Sequence, residues 1–211
     1  MFEKTRSLIR RSIDEPMYLI FMLIGLIRGT CYLIYYNYLK RNIKIGFPFI
    51  VHAEVRIIGP GTVSIGKRCV ILKNAFKGLT IITFSKNAKV IIGDKCALGG
   101  TTIRCFGMVE IGNKTMTAIS LIQDSFIVNY DRLGDDIKRR LPASRNISIG
   151  TNAWLAENSF VMNGSKIGDD CVLSSGSWCN GAAYPDYVLI LGNPARSTIP
   201  IDKLLRLKGE L

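Results

Sequence analysis

From Ile149 onward an aliphatic or similar residue returns at every sixth position: Ile149, Leu155, Val161, Ile167, Leu173 and then Cys179. Four residues after each comes a small one: Ala153, Ser159, Ser165, Cys171, Ser177 and Ala183. A period of six fits neither the roughly 3.6-residue turn of an α-helix nor the alternation of an ordinary strand. It is the hexapeptide period of a parallel β-helix. There the coils stack at about 4.8 Å, the aliphatic residue points inward, and the small residue fits the tight interior near a corner. No single coil buries its own apolar face, so such a chain folds as a stack.

The dipeptide Ile-Gly marks the larger unit. It recurs at Ile45-Gly46, Ile65-Gly66, Ile92-Gly93, Ile111-Gly112, Ile149-Gly150 and Ile167-Gly168, at intervals of 20, 27, 19, 38 and 18 residues. Eighteen is three hexapeptides, one per side of a triangular coil, so the intervals carry insertions of 2, 9, 1, 20 and 0 residues. About six coils follow, over residues 43–199. The glycine after each isoleucine is read as permitting the corner backbone. Cys69, Cys96 and Cys171 each stand four residues after an Ile-Gly isoleucine and read as buried small hydrophobes. The 20-residue insertion forms an external loop over residues 123–146, carrying Asp124, Asp131, Asp135 and Asp136 among basic residues. A long polar loop on a rigid scaffold is a place for function. Residues 200–211 read as a short C-terminal amphipathic helix with Leu204, Leu205 and Leu207 on one side.

Composition constrains the partners. The chain has 211 residues, 28 Lys and Arg against 16 acids, a net charge of +12, and 48% hydrophobic residues. That apolar content excludes an intrinsically disordered protein. A single histidine, His52, excludes a multi-histidine metal centre. The six cysteines lack any Cys-x-x-Cys pair and read as free thiols of a reducing cytoplasm, so no metal is expected. No recognised nucleic-acid module interleaves aromatic and basic residues, so nucleic acid is not expected either.

The N-terminal segment, residues 1–42, is a separate helical unit. Residues 17–36 form an apolar stretch interrupted only by Arg28, with basic residues on both flanks. The length suffices to span a bilayer, but a central charge is costly there and the flanks favour no orientation. Tyr32, Tyr35, Tyr36 and Tyr38 beside Lys40 and Arg41 suit a headgroup interface, which favours peripheral membrane contact. Packing on the protein's own core is the alternative. Gly25 and Gly29 form a Gly-x-x-x-Gly step that does not by itself establish helix pairing.

The stretch from Ile147 to Arg196, with Trp154, the Ile-Gly-Asp-Asp of 167–170, the Ser-Gly-Ser of 175–177 and the Gly-Asn-Pro-Ala-Arg of 192–196, resembles the hexapeptide-repeat acyltransferases. Within them it resembles the O-acetyltransferases of surface polysaccharide, sugar and galactoside or maltose type. The resemblance implies a left-handed parallel β-helix, although general chirality rules favour right-handed crossovers. It also implies a homotrimer with acetyl-CoA in the groove between neighbours. By position, Trp154, Ala156, Glu157, Ser175, Asn180 and Arg196 would border that cofactor, with the Arg196 guanidinium suited to its phosphates. The expected activity is O-acyl transfer to a sugar or lipid-linked saccharide of capsule, O-antigen or exopolysaccharide. The expected location is the cytoplasm, at the inner face of the cell membrane.

One departure stands out. The family carries a histidine in the loop after the fourth coil to deprotonate the acceptor hydroxyl, and here that position holds approximately Val128. His52 lies three coils away, about 14 Å along the axis, whereas a general base must come within about 3 Å of its proton. Relatives with carboxylate chemistry point instead to a carboxylate base raised by burial, Asp124 first, with Asp131 or Glu157 the alternatives. The competing reading is a catalytically inactive β-helix that binds or scaffolds.

Overall fold

A computed structural model describes residues 16–74, 77–125 and 146–203. The chain begins with helix α1 (Pro16–Ile34), which passes into a π-helical turn, Tyr35–Leu39. Coil 1 follows with β1 (Ile43–Ile45), β2 (Phe49–Val51) and β3 (Val55–Ile58), and coil 2 with β4 (Thr62–Ile65), β5 (Cys69–Leu72) and β6 (Leu79–Thr83). Coil 3 holds β7 (Lys89–Ile92), β8 (Ala97–Gly99) and β9 (Thr101–Cys105), and coil 4 holds β10 (Met108–Ile111), β11 (Met116–Ala118) and β12 (Leu121–Gln123). Coil 5 holds β13 (Ile147–Ile149), β14 (Trp154–Leu155) and β15 (Phe160–Met162), and coil 6 holds β16 (Lys166–Ile167), β17 (Val172–Leu173) and β18 (Trp178–Asn180). A partial seventh coil, β19 (Ala183–Tyr184) and β20 (Val188–Gly192), ends in β21 (Ala195–Pro200).

Every third strand pairs in parallel with the next coil, giving three sheets and a three-sided prism. Face A runs β1-β4-β7-β10-β13-β16-β19, face B runs β2-β5-β8-β11-β14-β17-β20-β21, and face C runs β3-β6-β9-β12-β15-β18. This is the mainly β parallel solenoid of six coils that the period demands. The Ile-Gly isoleucines form one continuous inward ladder on face A, Ile45, Ile65, Ile92, Ile111, Ile149 and Ile167, completed by Tyr184. All are buried. Parallel ladders on face C stack Ile57, Ile81, Ile103, Ile122, Val161 and Cys179.

The corners follow a rule that corrects the expected role of the glycines. Positive φ falls two residues after every Ile-Gly glycine except Gly46, at Arg68 (60°), Lys95 (61°), Lys114 (59°), Asn152 (57°) and Asp170 (54°). The glycines themselves are required by close approach: a Cβ on Gly112 would meet the Gly150 carbonyl carbon at 2.5 Å, and one on Gly150 the Gly168 oxygen at 2.4 Å. Asp94, Asn113, Asp169 and Asp186 bind these corners together, each accepting a backbone N–H from the coil before it. The cysteines occupy the expected interior places. Cys69, Cys96 and Cys171 donate to carbonyls one coil on, at 3.2, 3.2 and 3.0 Å. The Cys69 thiol is pushed up by its hydrogen bond with Cys96 and by burial, and burial pushes Cys179 up to about 12. Neither is a ready nucleophile.

Two expectations need amendment. Ala183, predicted to be the last buried small residue, is exposed, because the step from Ile167 to its register partner Tyr184 is one residue short of a full coil. Ala182 packs against the core in its place. The C-terminal helix begins at residues 201–203, and its predicted remainder lies outside the described residues, as do residues 126–145 of the external loop with Asp131, Asp135 and Asp136.

α1 lies against coil 1. Gly25 and Gly29 are the close-packed face: a Cβ on Gly29 would stand 1.7 Å from the Phe49 carbonyl oxygen, and one on Gly25 would meet the His52 ring at 2.6 Å. The Gly-x-x-x-Gly step therefore serves a helix-on-strand contact. Arg28 donates to the carbonyls of His52 and Ala53 at 3.4 and 3.3 Å. The Tyr36 hydroxyl donates to Val55 O (3.2 Å) and accepts from Ile57 N–H (3.1 Å), and Asn37 exchanges two hydrogen bonds with the Ile45 backbone. These are edge groups that no preceding coil can satisfy, and an open solenoid edge has to be covered.

Candidate functional site

Side chains at alternate strand positions point out of the prism, and the three faces differ in what they show. Face A is mostly polar along its outward line, Lys44, Ser64, Ile91, Glu110, Ser148 and Lys166. Face B is apolar over its whole height: Ile50, Val70, Ala97, Met116, Trp154, Val172 and Leu189 stand in one outward column. Trp154 is 50% exposed and Met116 49%. Each residue of this column stands five places after a residue of the inward face A ladder, so the repeat already contained it. Of this column only Trp154 belongs to the motifs that carry the family resemblance.

Four predicted site residues come together in coils 5 and 6. Trp154 and the buried Ala156 belong to the face B side of coil 5, where their N–H groups donate to Cys171 O and Leu173 O at 2.8 and 2.9 Å. Glu157 follows at the corner between faces B and C, with its side chain exposed and its carbonyl accepting from Gly176 N–H at 3.0 Å. Ser175, also exposed, occupies the same corner one coil further on. Arg196 lies on β21, the antiparallel strand that extends face B past coil 6, and is exposed. Asn180 stands apart, at the end of β18 on face C. Face C has its own concavity, about 320 Å³, lined by Leu121, Phe160, Met162, Trp178 and Asn193.

Asp124 does not suit the role of base. It is completely buried. One carboxylate oxygen accepts from Phe106 N–H at 2.7 Å and the other from Gly107 N–H at 2.7 Å, with the Cys105 thiol donating at 3.5 Å. Burial, followed by the adjacent Asp124 charge, pushes Cys105 up to about 12. Asp124 thus ties the end of β12 to the β9–β10 corner, whereas a general base has to reach a substrate proton. His52 is likewise structural. It sits on coil 1 between α1 and the strand, four coils below Trp154, about 19 Å at the usual strand spacing. Glu157 is the predicted carboxylate that faces solvent beside the face B column. Among the described residues no group of three or more metal-binding side chains gathers.

The arrangement offers a long apolar track, an arginine at its far end and a carboxylate at its edge. Such a surface accommodates an extended ligand with an apolar or amide arm and an anionic head.

No protein-family model matches the chain. A probable acetyltransferase of Mycobacterium tuberculosis is 32% identical over 109 residues, which make up 49% of this chain and 35% of that protein. The chain therefore spans about a third of that relative's length. Among solved structures, the polysialic acid O-acetyltransferase OatWY matches with a TM-score of 0.58 and 20% identity, covering 75% of this chain and 73% of its own. An N-acyltransferase from Bacillus cereus, AntD, in complex with dTDP and coenzyme A, matches with a TM-score of 0.56 and 17% identity, covering 79% of this chain and 88% of its own. At these identities the likeness establishes a shared solenoid fold.

Proposed function

We propose that this chain is a coenzyme A-dependent O-acyltransferase, using acetyl-CoA to modify a sugar during surface-polysaccharide assembly in the cytoplasm. The observation that carries the reading is the continuous apolar column of face B, with the exposed Trp154 in it and Arg196 beyond its end. A pantetheine arm fits the column, and a fixed guanidinium fits the phosphates of the nucleotide end. The names of the relatives, an acetyltransferase, a polysialic acid O-acetyltransferase and an N-acyltransferase bound to coenzyme A, support the same chemistry.

In this reading three copies pack side by side, face B of one toward face C of the next. That packing covers the apolar column of face B and the Leu121, Phe160, Met162 and Trp178 concavity of face C, and leaves the polar face A in water. It also accounts for Asn180, which would border the groove from the neighbouring copy. Glu157 takes the proton of the acceptor hydroxyl as the oxygen attacks the donor's thioester carbonyl, backbone N–H groups at the corner stabilise the oxyanion, and its collapse breaks the C–S bond so that coenzyme A leaves as the thiol with the proton that Glu157 returns.

Calorimetric titration with acetyl-CoA, followed by transfer assays with mixed sugar acceptors, tests this directly. Arg196→Ala should weaken binding about tenfold, the loss of one charge-assisted contact. Glu157→Gln should bind normally and lose about a hundredfold or more in turnover. Full turnover in Glu157→Gln would remove the assigned base, and absence of binding by the unaltered protein would remove the enzyme reading. The missing loop histidine and the buried Asp124 favour one alternative, a non-catalytic β-helix that assembles with an active relative. Binding without turnover, together with co-purification of a histidine-bearing homologue, would establish it.

A further inference from the structure

α1 covers the first coil with one side only. Its other side presents Met17, Phe21, Leu23, Ile24, Ile27 and Ile34, each between 48 and 65% exposed. Arg28 is the sole charge between residues 16 and 39, and it is turned to the coil carbonyls of His52 and Ala53. The outward ridge is thus without charge along its length, about 35 Å for 23 residues at helical rise. At its C-terminal end stand Tyr35 and Tyr38, 45 and 79% exposed, followed directly by Lys40, Arg41 and Lys44.

The charge of the prism is polarised along the same axis. Residues 40–95, which make up the first coils, hold 11 Lys and Arg against two acids, whereas residues 146–203 hold three against five. Arg41, Lys44 and Lys89 line one shallow groove of about 240 Å³ near that end, and Lys67, Arg68 and Lys95 line another of about 350 Å³. An apolar ridge, exposed tyrosines and a basic surround occur at one end of one molecule.

We propose that the coil 1 end is seated on an anionic lipid bilayer, with α1 lying in the plane of the interface. Apolar side chains enter the acyl boundary, the tyrosines sit at headgroup level, and the basic end is attracted by anionic lipid. A second copy is a poor occupant, because joining two such ends would set one basic surface against another. A spanning arrangement is also disfavoured. Arg28, Tyr36 and Asn37 hold the helix to coil 1, and turning it through a bilayer would free the edge groups they satisfy. The seat is independent of the acyl-transfer reading.

The test uses a natural probe position. Cys31 is exposed and the other five cysteines are buried, so the full-length protein can be labelled at Cys31 with an environment-sensitive fluorophore. Vesicles of phosphatidylcholine alone and of phosphatidylcholine with phosphatidylglycerol are then added, some carrying quenchers at shallow or deep positions. The seat predicts a blue shift with the anionic vesicles that weakens with salt, and stronger quenching from the shallow position. Leu23→Glu combined with Ile27→Glu should abolish the shift while the far-ultraviolet dichroism of the solenoid is kept. Three results would overturn the proposal: no shift in the unaltered protein, with light scattering then reporting whether a second copy covers the ridge; an unchanged shift in the doubly substituted protein; or strongest quenching from the deep position, which means a span. Acetyl-CoA titration on the same samples keeps the two proposals separate, since either can fail while the other stands.

Discussion

The two ends of this solenoid meet the same physical demand in different ways. At the first coil the open backbone edge is covered by side chains: Asn37 on Ile45, Tyr36 on Val55 and Ile57, and Arg28 on His52 and Ala53. At the last coil the chain folds back on itself, and β21 pairs antiparallel with β20 while the Tyr184 hydroxyl donates to Ala195 O at 3.0 Å. A returning strand satisfies the edge with its own backbone and leaves polar residues outward, with Arg196, Ser197 and Thr198 all exposed. A helix cap needs only one of its sides for the edge, so the other is free to be apolar. The difference leaves an apolar surface exposed at the first end and a polar one, with Arg196, at the other.

The largest expected effect comes from the helix cap. Gly29→Val places a branched side chain against the Phe49 carbonyl and should cost about 3 to 4 kcal/mol, read as a lowered urea midpoint. A loss under about 1 kcal/mol would mean that the cap is dispensable. A paired comparison comes next. Tyr36→Phe removes a buried hydroxyl with two backbone partners and should cost about 2 kcal/mol, whereas Tyr184→Phe removes one with a single backbone partner beside the weaker Cys179 thiol and should cost about 1 kcal/mol. Equal losses would erase the contrast between side-chain and backbone capping.

The smallest effect is a pH dependence confined to the first end. Burial, and then the Arg28 charge, hold the His52 imidazole below its ordinary 6.5. The folded protein therefore resists a proton that the unfolded chain accepts, so stability is full above pH 6.5 and declines as the pH falls from there toward the folded value. His52→Gln should flatten that decline in denaturation measured across the interval. An unchanged slope would assign the dependence to other groups.

Much of the fold was legible because the repeat is strict. The Ile-Gly isoleucines predicted the face A ladder residue for residue, and the interior cysteines followed from their offset. The exceptions lie where one coil interacts with the next. Gly112 and Gly150 appeared to serve a corner conformation, but the constraint on them is the backbone of the next coil. Ala183 fell out of phase because the final step is one residue short, which no interior hexapeptide announces. Asp124 had the composition of a loop base, and only its two backbone donors from a different coil show it to be structural. The face B column was present in the sequence at a constant offset, yet its continuity matters only once the coils are stacked.

What the sequence determined by itself is the period, and with it the architecture, because a six-residue repetition of aliphatic and small residues has a single compact solution in stacked coils. The tertiary structure decided which outward residues form one surface, which polar groups are consumed by neighbouring coils, and which side of the apolar helix is left free. Those outcomes depend on contacts between residues far apart in the chain, and local pattern carries no record of them.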